Sequence, residues 1–140
     1  MTAIKTCPTK LALRFFKKWS IEIVRDIWFG KAKFTEILQA NPGLSTKVLS
    51  QRLKELEKYG IIDKIIVSMT PMRAEYKLTE KGRALNRIMY DLAMFSYEFY
   101  IEEIFEGNPP TRSEMAEMTA KVFKIDEEDA TEIIKSKEER

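Results

Sequence analysis

The chain of 140 residues has no histidine and a single cysteine, Cys7. No intrachain disulfide can form, and no Cys/His metal cluster can be assembled. Without imidazole, and with no glycine-rich phosphate loop, nothing remains for a catalytic constellation beyond scattered carboxylates. An enzyme, a bound cofactor and a metal are therefore not expected. No apolar run approaches the ~20 residues that cross a bilayer, and the N-terminus carries no signal-peptide pattern. The expectation is a cytoplasmic protein with no membrane partner.

What the chain does have is charge, unevenly placed. A third of its residues are charged, yet the net is only +2. Residues 1–90 hold 18 Lys and Arg against 8 Asp and Glu, a net of +10, whereas residues 91–140 hold 6 against 14, a net of −8. A basic body with an acidic C-terminal part suggests a polyanion as partner of the first portion.

The chain is organised around Asn41 to Gly60, NPGLSTKVLSQRLKELEKYG. Pro42 and Gly43 mark a turn, Ser45 is placed to cap a helix and Gly60 to end it. Leu49, Leu53 and Leu56 form one apolar stripe. At 100° per residue Lys47, Gln51, Lys54 and Lys58 fall at roughly 160°, 200°, 140° and 180° from Leu49, opposite that stripe. Ser45, Thr46 and Ser50 add hydroxyls at the N-terminal end. Lys and Gln can bond base edges, while hydroxyls and a helix N-terminus hold phosphate, so this reads as a recognition helix for a DNA major groove. The bland alternative is a solvated basic face, with Glu55 and Glu57 in the same helix.

The flanking segments give it context. Pro8–Lys17 reads as a short first helix, with Leu11 and Phe15 on one face and Lys10, Arg14, Lys17 and Lys18 outside. Ser20 is placed to cap a second helix reaching about Trp28, with Ile23, Val24 and Ile27 inward. Trp19 and Trp28 are expected as packing anchors rather than base-stacking platforms. Lys33–Ala40 is a third helix, and with the recognition helix it makes a helix-turn-helix. Ile61–Ser68 is β-branched and Arg73–Leu78 alternates, so the two form an antiparallel hairpin around Met69–Met72, a wing over residues 62–78. Arg73, with Lys64 opposite or nearby, is placed for a second contact to DNA backbone or minor groove.

Thr79 then caps a helix read as continuous over 80–105, apolar around much of its circumference. Such a helix needs cover on more than one side, and a second subunit would supply it. Leu85, Leu92 and Phe99 at sevenfold spacing, with Ile88 and Phe95, make its pairing face. After Gly107–Pro110, Ser113–Lys124 and Glu127–Lys137 look like two short helices covering apolar surface, the second capped by Asp126. The organisation is a winged helix-turn-helix domain over 1–106, including the dimerisation helix, followed by a helical extension over 107–140. The fold class is α+β, mainly α with a small hairpin.

With these pieces in place the sequence resembles the HxlR-type family of winged helix-turn-helix transcription regulators, relatives of the MarR type. The resemblance rests on Cys7–Pro8, Lys18–Trp19–Ser20, Phe34–Thr35–Glu36, the run Gly43 to Glu57, Tyr59–Gly60–Ile61–Ile62, Pro71, Glu75–Tyr76, Leu78–Thr79 and Gly82. It implies a homodimer, paired through its first and last family helices (Leu11, Phe15 and the residues of the pairing face), on pseudo-palindromic DNA. Lys64 stands where the family usually has arginine, which leaves a bidentate contact there open. Some members sense oxidants or electrophiles through the cysteine matching Cys7. Lys5, Lys10 and a helix N-terminus would favour a thiolate there, and with no second cysteine only an adduct or an inter-subunit Cys7–Cys7 bond is available.

The combined expectation is a dimeric, sequence-specific transcription regulator, a repressor by default, bound to double-stranded DNA. Thr46, Lys47, Ser50 and Gln51 would read bases, and Ser45, Lys54, Lys58, Lys64 and Arg73 would hold backbone. A small-molecule or oxidant effector is compatible with it. The alternative from another class is a winged helix that docks on protein and reads no DNA. A protein-docking helix would expose apolar residues where this one is basic.

Overall fold

The computed structural model describes residues 2–125. Residues up to Arg83 form one compact unit and residues from Ala84 onward a second. The division falls within the stretch read from the sequence as one helix over 80–105.

The first unit runs α1 (Pro8–Ala12), α2 (Ser20–Trp28), α3 (Phe34–Ala40), α4 (Thr46–Lys58), β1 (Ile62–Met69), β2 (Met72–Leu78) and α5 (Glu80–Arg83). Its core collects Ile23 and Val24 of α2, Ile37 of α3, Leu49, Leu53 and Leu56 of α4, and Ile61 and Ile62. Each such side chain contributes about 1.5–3 kcal/mol of apolar burial, so the stripe alone binds α4 firmly to the body. The two strands pair antiparallel, and the Tyr76 amide donates to the Ala32 carbonyl (2.8 Å), tying the segment before α3 to the hairpin. This is the winged helix-turn-helix expected from the hydrophobic pattern.

Three local readings are corrected. The first helix stops at Ala12 rather than Lys17; tight turns follow, with Arg14 N–H to Leu11 and Phe16 N–H to Leu13. Those turns swing Phe15 into the core and leave Leu11 exposed, so the two do not share a face. Ser20 does not cap α2 but opens it. Trp19 precedes it at φ +79, a left-handed conformation costing a non-glycine residue on the order of 1–3 kcal/mol, and the buried Ser20 hydroxyl accepts the Lys17 N–H (3.2 Å). Finally, Lys64 faces Tyr76 while Arg73 faces Ser68, next to the turn, so the two cations are not opposite each other.

The second unit holds α6 (Asn86–Phe99), α7 (Ile101–Ile104) and α8 (Arg112–Val122). The expected continuous helix over 80–105 is therefore three pieces. Leaving the helix at Tyr100 (φ −128) lets its ring return to Phe95, with centroids 6.2 Å apart and Phe99 5.0 Å from Phe95 on the other side. Thr111 and Glu114 form a reciprocal capping box that starts α8. The expected helix Glu127–Lys137 and its cap Asp126 lie outside the described residues.

α8 lies antiparallel on α6, with Arg112 near Glu98 (3.6 Å) and the Asn86 side-chain amide donating to the Phe123 carbonyl (2.9 Å). It meets the face carrying Met89, Tyr90 and Met94, all buried. On the helical wheel the mean direction of those three lies roughly 180° from the mean direction of Ile88, Leu92, Phe95 and Phe99. The latter four remain between 37% and 63% exposed.

Candidate nucleic-acid interface

α4 begins as its sequence dictates: the Ser45 side chain caps it, accepting the Val48 N–H at 3.1 Å. The turn before it is built by Asn41, buried between α2 and α3. Its amide donates to Asp26 Oδ2 (2.6 Å) and to the Ile37 carbonyl (2.8 Å), and Arg25 reaches the other Asp26 oxygen at 3.1 Å. Gly43 follows at φ +94 beside the Trp19 ring, where a left-handed turn needs glycine.

Outward, Thr46, Lys47, Gln51, Lys54 and Lys58 are exposed, and Ser50 is half-buried on the flank. The Lys58 ammonium lies 5.7 Å from the centre of the Tyr59 ring. Of the two acids of α4, Glu55 is turned aside, held by Lys17 (3.0 Å) and Arg52 (3.7 Å). Glu57 is exposed and falls at roughly 80° on the wheel, between the apolar stripe and Lys54. The centre of the outer face is thus cationic and amide-bearing, with Glu57 at its edge.

In the wing, Arg73 and Lys64 are both exposed, separated along the hairpin by the Ile65–Glu75 and Ile66–Ala74 pairs. A cleft of about 460 Å³ lies between the start of α3 and the wing, lined by Lys33, Phe34, Val67, Met72, Arg73 and Glu75 among others. Among the described residues no three metal-binding side chains cluster, and no helix is long and apolar enough to cross a membrane.

Residues 15–104 match the HxlR-like helix-turn-helix family. The chain belongs to that family. The HxlR-like regulators are transcriptional regulators and not enzymes, and their helix-turn-helix is what α3 and α4 build here. The HTH-type transcriptional regulator YvaP of Bacillus subtilis is 42% identical over 83 residues, 59% of this chain and 77% of that protein. Among solved structures, the reduced regulator YodB of B. subtilis superposes with a TM-score of 0.59 at 33% identity, covering 68% of this chain and 95% of that one. YodB has also been solved treated with diamide and bound to a quinone. A MarR-family regulator from Porphyromonas gingivalis W83 gives 0.61 at 30% identity, covering 71% and 98%. The HxlR-like match ends at residue 104, before α8.

The residues assigned to subunit pairing divide on burial. Phe15 and Leu85 are buried inside the protomer, whereas Leu11, Ile88, Leu92, Phe95 and Phe99 are exposed. Cys7 is exposed at the start of α1, where the backbone amides of Lys10 and then Thr9 hold its thiol below the ordinary pKa. What sequence reading missed is the docking of residues 14–18 along α4.

Proposed function

We propose that the protein is a cytoplasmic, dimeric, sequence-specific DNA-binding repressor that lays α4 in the major groove and its wing on the flanking backbone. The supporting observation is the outer face of α4: three lysines, a glutamine and a threonine exposed, with Glu55 drawn away to Lys17 and Arg52. Thr46, Lys47, Ser50 and Gln51 read base edges; Ser45, Lys54, Lys58, Lys64 and Arg73 hold phosphate. Pairing uses the exposed face of α6, opposite the one α8 covers, and the two-fold axis sets half-sites about one DNA turn apart, ~34–36 Å. Selection from a random duplex pool tests this. A two-fold symmetric motif is expected, and bound DNA without a motif would refute sequence-specific reading.

A second reading concerns control and is favoured by the exposed, pKa-lowered Cys7. Its thiolate forms a C–S bond to a quinone ring carbon and the electron pair passes to the quinone oxygens; one oxygen takes a proton from water and the other the proton of the attacked carbon, which leaves the hydroquinone thioether. Incubating protein with a benzoquinone and measuring intact mass and DNA affinity tests it. A one-adduct mass that Cys7→Ser abolishes, with altered affinity, is expected; a Cys7 adduct with unchanged affinity would refute control.

A further inference from the structure

Residues 1–21 carry Lys5, Lys10, Arg14, Lys17 and Lys18 and no acidic residue. The last three of these cations are not on a loose arm. Arg52 Nε donates to the Lys18 carbonyl at 2.8 Å, Lys17 Nζ meets Glu55 at 3.0 Å, and the Arg14 guanidinium lies 5.3 Å from the centre of the Tyr59 ring. The left-handed Trp19 and the Ser20 hydroxyl on the Lys17 amide fix the loop from its other end.

Where this loop docks on α4 is what matters. Arg52, Glu55 and Tyr59 fall at roughly 300°, 240° and 280° on the wheel, next to Gln51 and Lys58 at roughly 200° and 180°. The loop therefore borders the outward face along the C-terminal half of the helix. Lys17 spends its charge on Glu55. Lys18 is exposed and, among the described residues, pairs with no carboxylate; its ammonium lies 5.6 Å from the Trp19 ring.

We propose that Arg14 to Lys18 form a cationic ledge beside α4 that grips the DNA backbone flanking the groove, with Lys18 as its principal phosphate contact. This rests on the DNA-binding reading and adds to it a contact outside both helix and wing. The ledge sets the roll of α4 in the groove, because Arg52 and Glu55 join the two rigidly. It carries no sequence information, since phosphate is the same at every step.

The test is binding of full-length wild type, Lys18→Ala and Lys18→Arg to the selected duplex and to a scrambled one, across a KCl series. Lys18→Ala should weaken both duplexes by the same factor and lower the slope of log affinity on log salt by about 0.9, one phosphate's worth. Lys18→Arg should restore the slope. Arg14→Gln, an independent substitution in the same ledge, should weaken both duplexes alike. A Lys18→Ala protein with wild-type slope overturns the ledge, even if its affinity falls, while DNA reading stands. Wild type that binds neither duplex overturns the DNA reading and the ledge with it.

Discussion

Gly82 lies against the backbone of Ile61 so closely that a Cβ built on it would stand 2.1 Å from the Ile61 carbonyl oxygen. That oxygen also accepts the Thr79 N–H at 3.1 Å, and the Thr79 hydroxyl accepts the Gly82 N–H at 3.0 Å. The start of β1, the end of β2 and α5 therefore meet at one point, which fixes the base of the wing relative to α4. Gly82→Ala must push this junction apart. A loss of about 1–3 kcal/mol is expected in urea unfolding, the usual range for overpacking, together with weaker DNA binding through a displaced wing. An unchanged urea midpoint would show that the junction yields freely.

The Asp26–Asn41 pair makes a comparable prediction at the other end of α4. Both side chains are buried, and removing the carboxylate strands the Asn41 amide that shapes the turn. Asp26→Ala should cost about 1.5–3 kcal/mol, the range for a hydrogen bond to a charged group, with Asp26→Asn in between. Denaturant midpoints of the three proteins decide this.

How much of this was legible beforehand differs by element. The α4 stripe shows in one-dimensional periodicity because it buries one face against a single body. In the hairpin the alternation is confined to β2, where Ala74, Tyr76 and Leu78 are half-buried and Arg73 and Lys77 exposed, while β1 is exposed from Asp63 to Val67. Gly82 stood out only as part of a family pattern, since its reason is a contact across 21 positions of sequence with Ile61. The helix over 80–105 was misread because its apolar residues form two faces, one met by α8 and one exposed, and because the departure at Tyr100 serves a ring contact with Phe95. The placing of Lys17 on Glu55 and of Arg52 on the Lys18 carbonyl was invisible, because charged side chains give no periodic signal of their partners.

Pairing through α6 is tested by Leu92→Glu with Phe95→Glu. Both side chains are exposed in the protomer, so helix content by circular dichroism should hold while light scattering falls from dimer to monomer mass. A variant that keeps the dimer mass places the interface elsewhere.

For Cys7 the sign follows from its lowered pKa. The thiolate fraction at a given pH exceeds that of a free cysteine, so the pH profile of alkylation by iodoacetamide should have its midpoint below that of a cysteine peptide. A midpoint at or above the peptide's would remove the case for an activated thiol.

The central claim, that α4 reads bases, is tested most directly by measuring affinities of wild type, Gln51→Ala and Lys58→Ala for every single-base variant of the selected half-site. Gln51→Ala should lose discrimination at one base pair, by about 1–3 kcal/mol, and keep it elsewhere. Lys58→Ala should weaken all variants alike. If Gln51→Ala weakened every variant equally, the outward face of α4 would be holding DNA without reading it.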